Sequence, residues 1–404
     1  MRFLRIQTIR KFIFTVFLLY LCWYKESRTD VPIILYGSVL LLTVSCLAGL
    51  PARRIFSAVH PVVKILIVYG VFAFFSGLIV ATDRSLFVSS MITYFEFIIV
   101  LLDCSIISYR DESWEWILGP IVIVAFVCMV QTIFWGQPYF NSGVVATTMS
   151  PQNNPNSLAH VILMGMYALV ATRKRAMNRF IFKGVLMLVF IYVIFLTGSR
   201  KFLLSAGIFL LLWAYALLTD KGEEGIAKKL TIFLGIVACC IAGGWYITKY
   251  YLGSDTFLRM MKLFSDNESN FKRITMYTDG ITLWKDHPIL GIGFNQYRVF
   301  SQFGTYSHST YIEVLSCTGI IGLFILFVPL IRYFFGIIRN LRTRNAGKLY
   351  VVRMTFAAMI VELFLGVGSI WLYGFSHMCF LMTILGIFDD WRMEDEYIEN
   401  QNSN

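Results

Sequence analysis

The polar stretches of this sequence hold three side chains that could act on an anionic substrate. Arg200 follows the residues T-G-S between two apolar runs, and Arg273 follows N-F-K within a long polar segment. A guanidinium presents a planar fork of N–H donors that fits the oxygens of a phosphate. His308 lies where an apolar run begins, and an imidazole can accept a proton near neutral pH. These residues favour phosphate binding and proton abstraction, although interfacial arginines and histidines with no chemical role fit the same pattern.

The remaining ionisable groups have structural interpretations. Lys201 is typical of a lysine whose ammonium reaches the membrane surface. Glu96 and Glu362 lie inside apolar runs, where we expect each carboxylate to be paired. The acidic pair Asp266 and Glu268 lies in an Asn-rich stretch that indicates a solvated turn, so the sequence predicts no metal site. Three histidines are interpreted as ordinary span or loop residues: His60, His160 and His377.

The composition is that of a polytopic membrane protein. Of the 404 residues, 57% are hydrophobic and only 15% are charged, and the mean hydropathy is +0.68. These values exclude a soluble enzyme, a disordered protein and a secreted disulfide scaffold. The net charge of +11 is better explained by basic cytoplasmic loops than by nucleic-acid binding. All eight cysteines lie in apolar runs, without the spacing of a zinc site.

Twelve apolar runs predict an all-α membrane domain over residues 1–388, followed by a disordered tail over 389–404. Two long polar connections interrupt the runs, 136–156 and 249–309. The first run is the weakest, because Arg10 and Lys11 shorten it, and we take it as a span rather than a cleaved signal peptide. The runs lie at about 6–24, 31–50, 62–81, 85–107, 116–135, 157–172, 182–198, 202–219, 230–248, 310–338, 349–369 and 370–388.

The basic residues predict the orientation of the spans. In alternate loops, 18 lysines and arginines fall on one side and 5 on the other. Because basic loops stay in the cytoplasm, we expect both termini to be cytoplasmic and the two long connections to face outward. Within the second connection, 273–284 has apolar residues at helical spacing, which favours an amphipathic helix on the membrane. The glycines at 291 and 293 lack the spacing and preceding strand of a nucleotide fingerprint and favour a tight turn instead.

Four stretches, in order, make the chain resemble the O-antigen ligase / O-antigen polymerase family of bacterial membrane glycosyltransferases. Residues 153–159 resemble the family's N-P-N-x-L-A, and 197–200 match its T-G-S-R. Arg273, Trp284 and the segment 287–293 resemble its R…W…P-L-x-G-x-G. Residues 308–311 with the glycines at 319 and 322 resemble its H-N-x-Y/L…G-x-x-G. The likeness covers roughly 150–325; Ser309 replaces the usual Asn, and Lys201 a common small residue.

The resemblance implies a GT-C-like helical fold and an enzyme of the bacterial cytoplasmic membrane whose active site faces outward. It implies transfer of a glycan from a polyprenyl (undecaprenyl) diphosphate to an acceptor hydroxyl, with inversion and without metal or other cofactor. His308 would be the catalytic base, and Arg200 and Arg273 would bind the diphosphate. Four residues would support them: Ser199, Asn156, Ser309 and Tyr311.

Several alternatives stay open at this point. The acceptor can be another repeat unit, as in a polymerase, or a lipid core or protein, as in a ligase. The partners would be the lipid-linked donor, the acceptor, membrane lipids and proteins of polysaccharide assembly such as a chain-length regulator, with no nucleic acid. A transporter or flippase for lipid-linked sugars is the alternative from a different class, with Arg200, Glu96 and Glu362 along its path. Transporters usually show internal repeats, and none is visible here.

Overall fold

The computed structural model is built almost entirely of helices. It describes residues 2–24, 33–48, 50–135, 137–138, 145–146, 155–171, 178–219, 249, 267–343 and 346–402. The predicted ninth run, 230–248, and most of the connection 136–156 lie outside the described residues.

Fourteen α-helices can be followed through the described part of the chain. The first nine are α1 (Arg2–Leu19, continued by a π-helical turn, Tyr20–Tyr24), α2 (Ile33–Leu47), α3 (Ala52–Ala58), α4 (Pro61–Val80), α5 (Arg84–Asp111), α6 (Leu118–Trp135), α7 (Pro155–Val170), α8 (Asn178–Leu196) and α9 (Arg200–Leu218). The others are α10 (Asn267–Asp286), α11 (Tyr297–Phe300), α12 (Thr310–Asn340), α13 (Ala346–Gly366) and α14 (Phe375–Asn402). Short 3₁₀ turns occupy Glu115–Ile117 and Trp371–Tyr373, and a two-residue antiparallel ladder joins β1 (Gln137–Pro138) to β2 (Val145–Ala146).

Six helices among the described residues are long and apolar enough to cross a membrane. They are Pro61–Val80, Arg84–Asp111, Glu115–Trp135, Arg200–Leu218, Thr310–Asn340 and Leu349–Gly366. Three shorter apolar helices accompany them, Leu35–Leu47, Pro155–Val170 and Phe182–Leu196. A helical polytopic membrane protein is therefore confirmed, whereas the figure of twelve spans stays a prediction.

Helix α14 runs through residue 389, where the predicted disordered tail would begin, and continues to Asn402. The acidic residues at the start of this segment are bound by the helical bundle. Asp389 accepts a hydrogen bond from the Tyr333 hydroxyl at 2.8 Å and lies 3.0 Å from Nε2 of His60. Asp390 accepts one from the backbone N–H of Trp114 at 2.5 Å. An acidic composition predicts disorder only when its carboxylates have no partners in the fold.

Helix α12 is broken at Gly319, whose backbone has φ 63° and ψ −167°. The glycine-containing loop before it lies directly against this break. Ile292 and Gly293 donate their N–H groups to the carbonyls of Ser316 and Cys317, and Ile320 donates to Pro288. The loop therefore takes up carbonyl and amide groups that the break leaves without helical partners.

Close packing at this contact requires Gly291. Its φ is +70°, and a Cβ there would lie 2.4 Å from the carbonyl carbon of Cys317. The tight turn predicted for these glycines is confirmed.

Candidate active site

A cavity of about 250 Å³ opens where the ends of several helices meet. Its walls include Asn156 and His160 from the start of α7, Lys201 from the start of α9, and His377 from the start of α14. His308, in the loop before α12, also lines it, together with the turn 368–370. The structure thus brings together residues from both ends of the region that carries the sequence motifs.

The conformation of His308 is held by its neighbours in the loop. Its backbone is left-handed, with φ 59°, which is uncommon for a residue other than glycine. Glu313, in the first turn of α12, accepts a hydrogen bond from the Ser307 N–H at 2.7 Å and another from the Tyr373 hydroxyl at 2.7 Å. The Ser307 hydroxyl in turn donates to the Ser309 carbonyl at 3.0 Å. A buried carboxylate therefore fixes the turn that presents His308.

The surroundings of His308 are strongly cationic. Burial, followed by the charges of Arg273, Lys201 and Lys272, lowers the pKa of His308 to about 4. The imidazole is therefore neutral at pH 7, with a ring nitrogen available to accept a proton. The same cations form a site suited to an anion such as a diphosphate.

Helix α10 carries Arg273 and is docked against α12 and α13. The Tyr277 hydroxyl donates to the Val367 carbonyl at 2.7 Å, and a Cβ at Gly280 would lie 2.3 Å from the Ile312 side chain. Arg273 itself is exposed, but it lies close enough to His308 and Lys201 for its charge to act on both side chains. The helix predicted over 273–284 is confirmed. Its buried face differs from the predicted apolar face, because Met276 is buried whereas Ile274 is 61% exposed.

Arg200 and Lys201 occupy different positions although they are adjacent in sequence. Arg200 is the first residue of α9 and is partly exposed. Among the described residues, the cavity wall includes Lys201 but neither Arg200 nor Arg273. The Lys201 ammonium donates to the Gly368 carbonyl and to the Ser369 hydroxyl, so it is fixed at the cavity. Sequence analysis missed this position of Lys201.

The four predicted supporting residues all fasten the helix ends around the cavity. The Ser199 hydroxyl donates to Asn156 Oδ1 at 2.6 Å, which joins the start of α9 to the start of α7. Ser309 is buried at the N-terminus of α12, and the Tyr311 hydroxyl donates to the Leu363 carbonyl at 2.7 Å. These contacts show structural roles; a role in transfer stays a proposal.

Two further histidines belong to the cavity, and sequence analysis missed them. His160 and His377 line it, and both contact the buried carboxylate of Glu362. His377 Nδ1 lies 2.6 Å from Glu362 Oε1, and His160 Nε2 lies 3.3 Å from Glu362 Oε2. The pairing predicted for Glu362 is confirmed, and its partners are two histidines that the sequence pattern left as ordinary span or loop residues. The available signal was weak, a polar residue one to two turns inside each of three apolar runs.

The ligating atoms of this cluster lie within 4.8 Å of one another, close enough to hold a metal ion. Its geometry is that of hydrogen-bonded pairs, however. The two imidazole rings overlap, with centroids 3.7 Å apart and an interplanar angle of 32°, and the short contact to His377 uses one carboxylate oxygen. The lone pairs of ring nitrogens lie in the ring planes, and these two planes are stacked face to face rather than directed at a common point. The donor set therefore fits proton sharing better than metal coordination.

Comparison with known families agrees with the motifs. Residues 160–327 match the family model described as O-antigen ligase, which covers α7 to the middle of α12 and includes Arg200, Arg273 and His308. A search of curated proteins found no significant match.

Proposed function

Residues 160–327 belong to the O-antigen ligase family, and from this premise we propose that the protein is a membrane glycosyltransferase. It moves a glycan from a polyprenyl diphosphate to an acceptor hydroxyl at the outer face of the bacterial cytoplasmic membrane. The observation that carries this proposal is the cavity in which neutral His308 lies among the charges of Arg273, Lys201 and Lys272. A proton acceptor next to an anion site is what this transfer requires.

The reaction is a single displacement at the anomeric carbon of the donor. The acceptor oxygen forms the new C–O bond while its proton passes to His308. The bond between the anomeric carbon and the phosphate oxygen breaks, and the polyprenyl diphosphate leaves with the bonding electron pair. One displacement inverts the anomeric configuration.

Arg200 and Arg273 bind the diphosphate in this proposal, with Lys201 as a third cation at the cavity wall. Charge that develops on the leaving group is stabilised by fixed donors, which is the role a metal ion has in many sites that act on phosphate groups. Activity that persists with chelator present supports metal independence, and activity restored only by an added divalent cation contradicts it.

Donor binding also activates His308. Two of the cations that lower its pKa, Arg273 and Lys201, are groups expected to face the diphosphate, and a bound anion offsets their charge. The imidazole therefore becomes a stronger base when the donor is in place. Proton abstraction is thereby coupled to donor binding.

The cavity end of the bundle faces outward, and both termini are cytoplasmic. The distribution of basic residues supports this orientation. A cysteine at position 270 of a cysteine-free variant should react with a membrane-impermeant thiol reagent in intact spheroplasts. Labelling only after permeabilisation would contradict the orientation.

The lipid-linked intermediates of a deletion strain test the function and identify the acceptor. Single-repeat lipids accumulate if the protein polymerises, and long lipid-linked chains accumulate if it ligates. Complementation with His308→Ala should leave the same accumulation as the deletion. Normal surface glycan in the deletion strain would contradict the proposal, whereas the family match already favours an enzyme over a transporter.

A further inference from the structure

Glu362 is a buried carboxylate shared by two histidines at the inner wall of the cavity. It is 0% exposed, and each of its oxygens contacts a different ring. A carboxylate accepts hydrogen bonds, so each histidine presents an N–H toward it. His377 then carries its proton on Nδ1, and His160 carries its proton on Nε2.

The other nitrogen of each ring lies in a different environment. Nδ1 of His160 is buried and has no hydrogen-bond partner among the described residues. A proton added there would leave an unpaired N–H and a second cation near Lys201, which is unfavourable in a buried site. His377 lines the cavity, and its side chain is 11% exposed. The cluster can therefore gain one proton, at Nε2 of His377.

Charge balance favours the gain of that single proton. The buried cluster has a charge of −1 when both rings are neutral and 0 when His377 is an imidazolium. A second proton would place two cations in rings 3.7 Å apart. Carboxylates paired with histidine stabilise the imidazolium that forms during catalysis.

We propose that the His377–Glu362–His160 cluster is a proton relay of the cavity. It rests on the proposed function, because the proton is the one that His308 takes from the acceptor hydroxyl. That proton passes from His308, which lies among cations, to Nε2 of His377, whose Nδ1 contacts the buried carboxylate of Glu362. It leaves to water before the next turnover. His377 and His308 line the same cavity, so water within it can connect them.

A relay has a kinetic signature that a purely structural cluster lacks. We expect purified His377→Gln enzyme in liposomes to complete its first turnover at the normal rate and then slow by about 10²-fold, within the range for lost proton-transfer groups. The donor is the lipid-linked glycan extracted from the deletion strain, and turnover is followed by rapid quench. Imidazole buffer should restore the later turnovers, because it removes the proton from His308. Glu362→Gln should behave in the same way.

His60→Gln is the matched control. His60 also forms a histidine–carboxylate pair, but its partner Asp389 lies 12 residues after His377 on α14, about 18 Å along the helix. It should leave both phases unchanged. Loss of the first turnover in His377→Gln, or normal steady-state turnover, would overturn the relay.

Histidine NMR of the wild-type protein gives a readout that does not depend on transfer. The relay requires that the one proton gained by the cluster reside on His377, while His160 keeps its proton on Nε2. Titration of His160 in its place, or a stoichiometric metal ion that is lost in Glu362→Gln, would refute the relay. Wild-type enzyme that transfers nothing would refute the proposed function, and the NMR result would still decide the relay.

Discussion

Removing the charge of Arg273 should make His308 easier to protonate. Among the charges that lower the pKa of His308 from its ordinary value of 6.5 to about 4, that of Arg273 has the largest effect. A nearby cation disfavours the imidazolium, so Arg273→Gln raises the pKa. Burial contributes more than any single charge, and Lys201 and Lys272 remain. We therefore expect the pKa to rise by less than half of the gap between 4 and 6.5.

The assay is a pH titration of ¹⁵N-histidine NMR signals in lipid nanodiscs, with His308→Gln used to assign the resonance. Lys285→Gln is the matched control, because it removes the same charge from the last turn of the same helix. The charge of Lys285 is not among the causes of the His308 shift, so the control should leave the titration unchanged. The chemical shift reports protonation even where the variant binds donor poorly.

The direction of the His308 pKa shift also determines how transfer depends on pH. Neutral His308 is the active form, so activity falls as the pH drops through the pKa. The acid limb of kcat/KM in the wild type, which reports the free enzyme, should therefore lie at the pKa that the NMR titration gives for His308. An unchanged His308 titration in Arg273→Gln, or an equal shift in Lys285→Gln, would refute the placement of Arg273 beside the cavity.

Three further predictions follow from the same geometry. His308→Ala and His308→Gln should each lower the transfer rate by about 10²–10⁴-fold while donor binding is retained; near-normal transfer by His308→Gln would leave His308 a positioning residue. Arg200→Ala and Arg273→Ala should each abolish transfer in protein that still inserts, and lysine should rescue poorly because it lacks the guanidinium fork; full activity of Arg200→Lys combined with Arg273→Ala would exclude the diphosphate clamp. Gly291→Ala should lower the Tm more than Gly304→Ala. Both glycines have left-handed backbones, which cost roughly 1–2 kcal/mol for alanine, but a Cβ at Gly291 would also collide with backbone, whereas a Cβ at Gly304 would meet open space. Equal losses of Tm would refute the close packing of the loop on α12.

The sequence predicted the motifs of the cavity but not which side chain faces it. Arg200 and Lys201 are adjacent, and helix α9 begins at Arg200, directly after its N-cap residue Ser199. Successive residues of a helix point about 100° apart, so a shift of one residue in the start of α9 changes which of the two faces the cavity. Boundaries of this kind are not encoded in hydropathy. The contacts of Lys201 with residues 368 and 369 come from a distant part of the chain and appear only in the fold.

The histidine cluster was beyond sequence reasoning for a related reason. His160 and Glu362 are separated by 202 residues, and His377 follows Glu362 by 15. No local spacing connects the three, and each alone resembles an ordinary polar residue near the end of a span. Only the packing of α7, α13 and α14 brings them together. The pairing of Glu362 was predictable because a lone carboxylate in an apolar run needs a partner, whereas the identity of the partner was not.

The first turns of α12 connect the two halves of the proposed mechanism. Glu313 holds the turn that presents His308, and the Ser316 and Cys317 carbonyls hold the glycine loop. That loop leads to Tyr297, whose hydroxyl donates to the Met276 carbonyl of α10 at 2.7 Å. Arg273 lies on the same helix, one turn away. The proton acceptor and a proposed phosphate ligand are thus positioned by one short segment, 310–319, so a change at Gly319 alters both together.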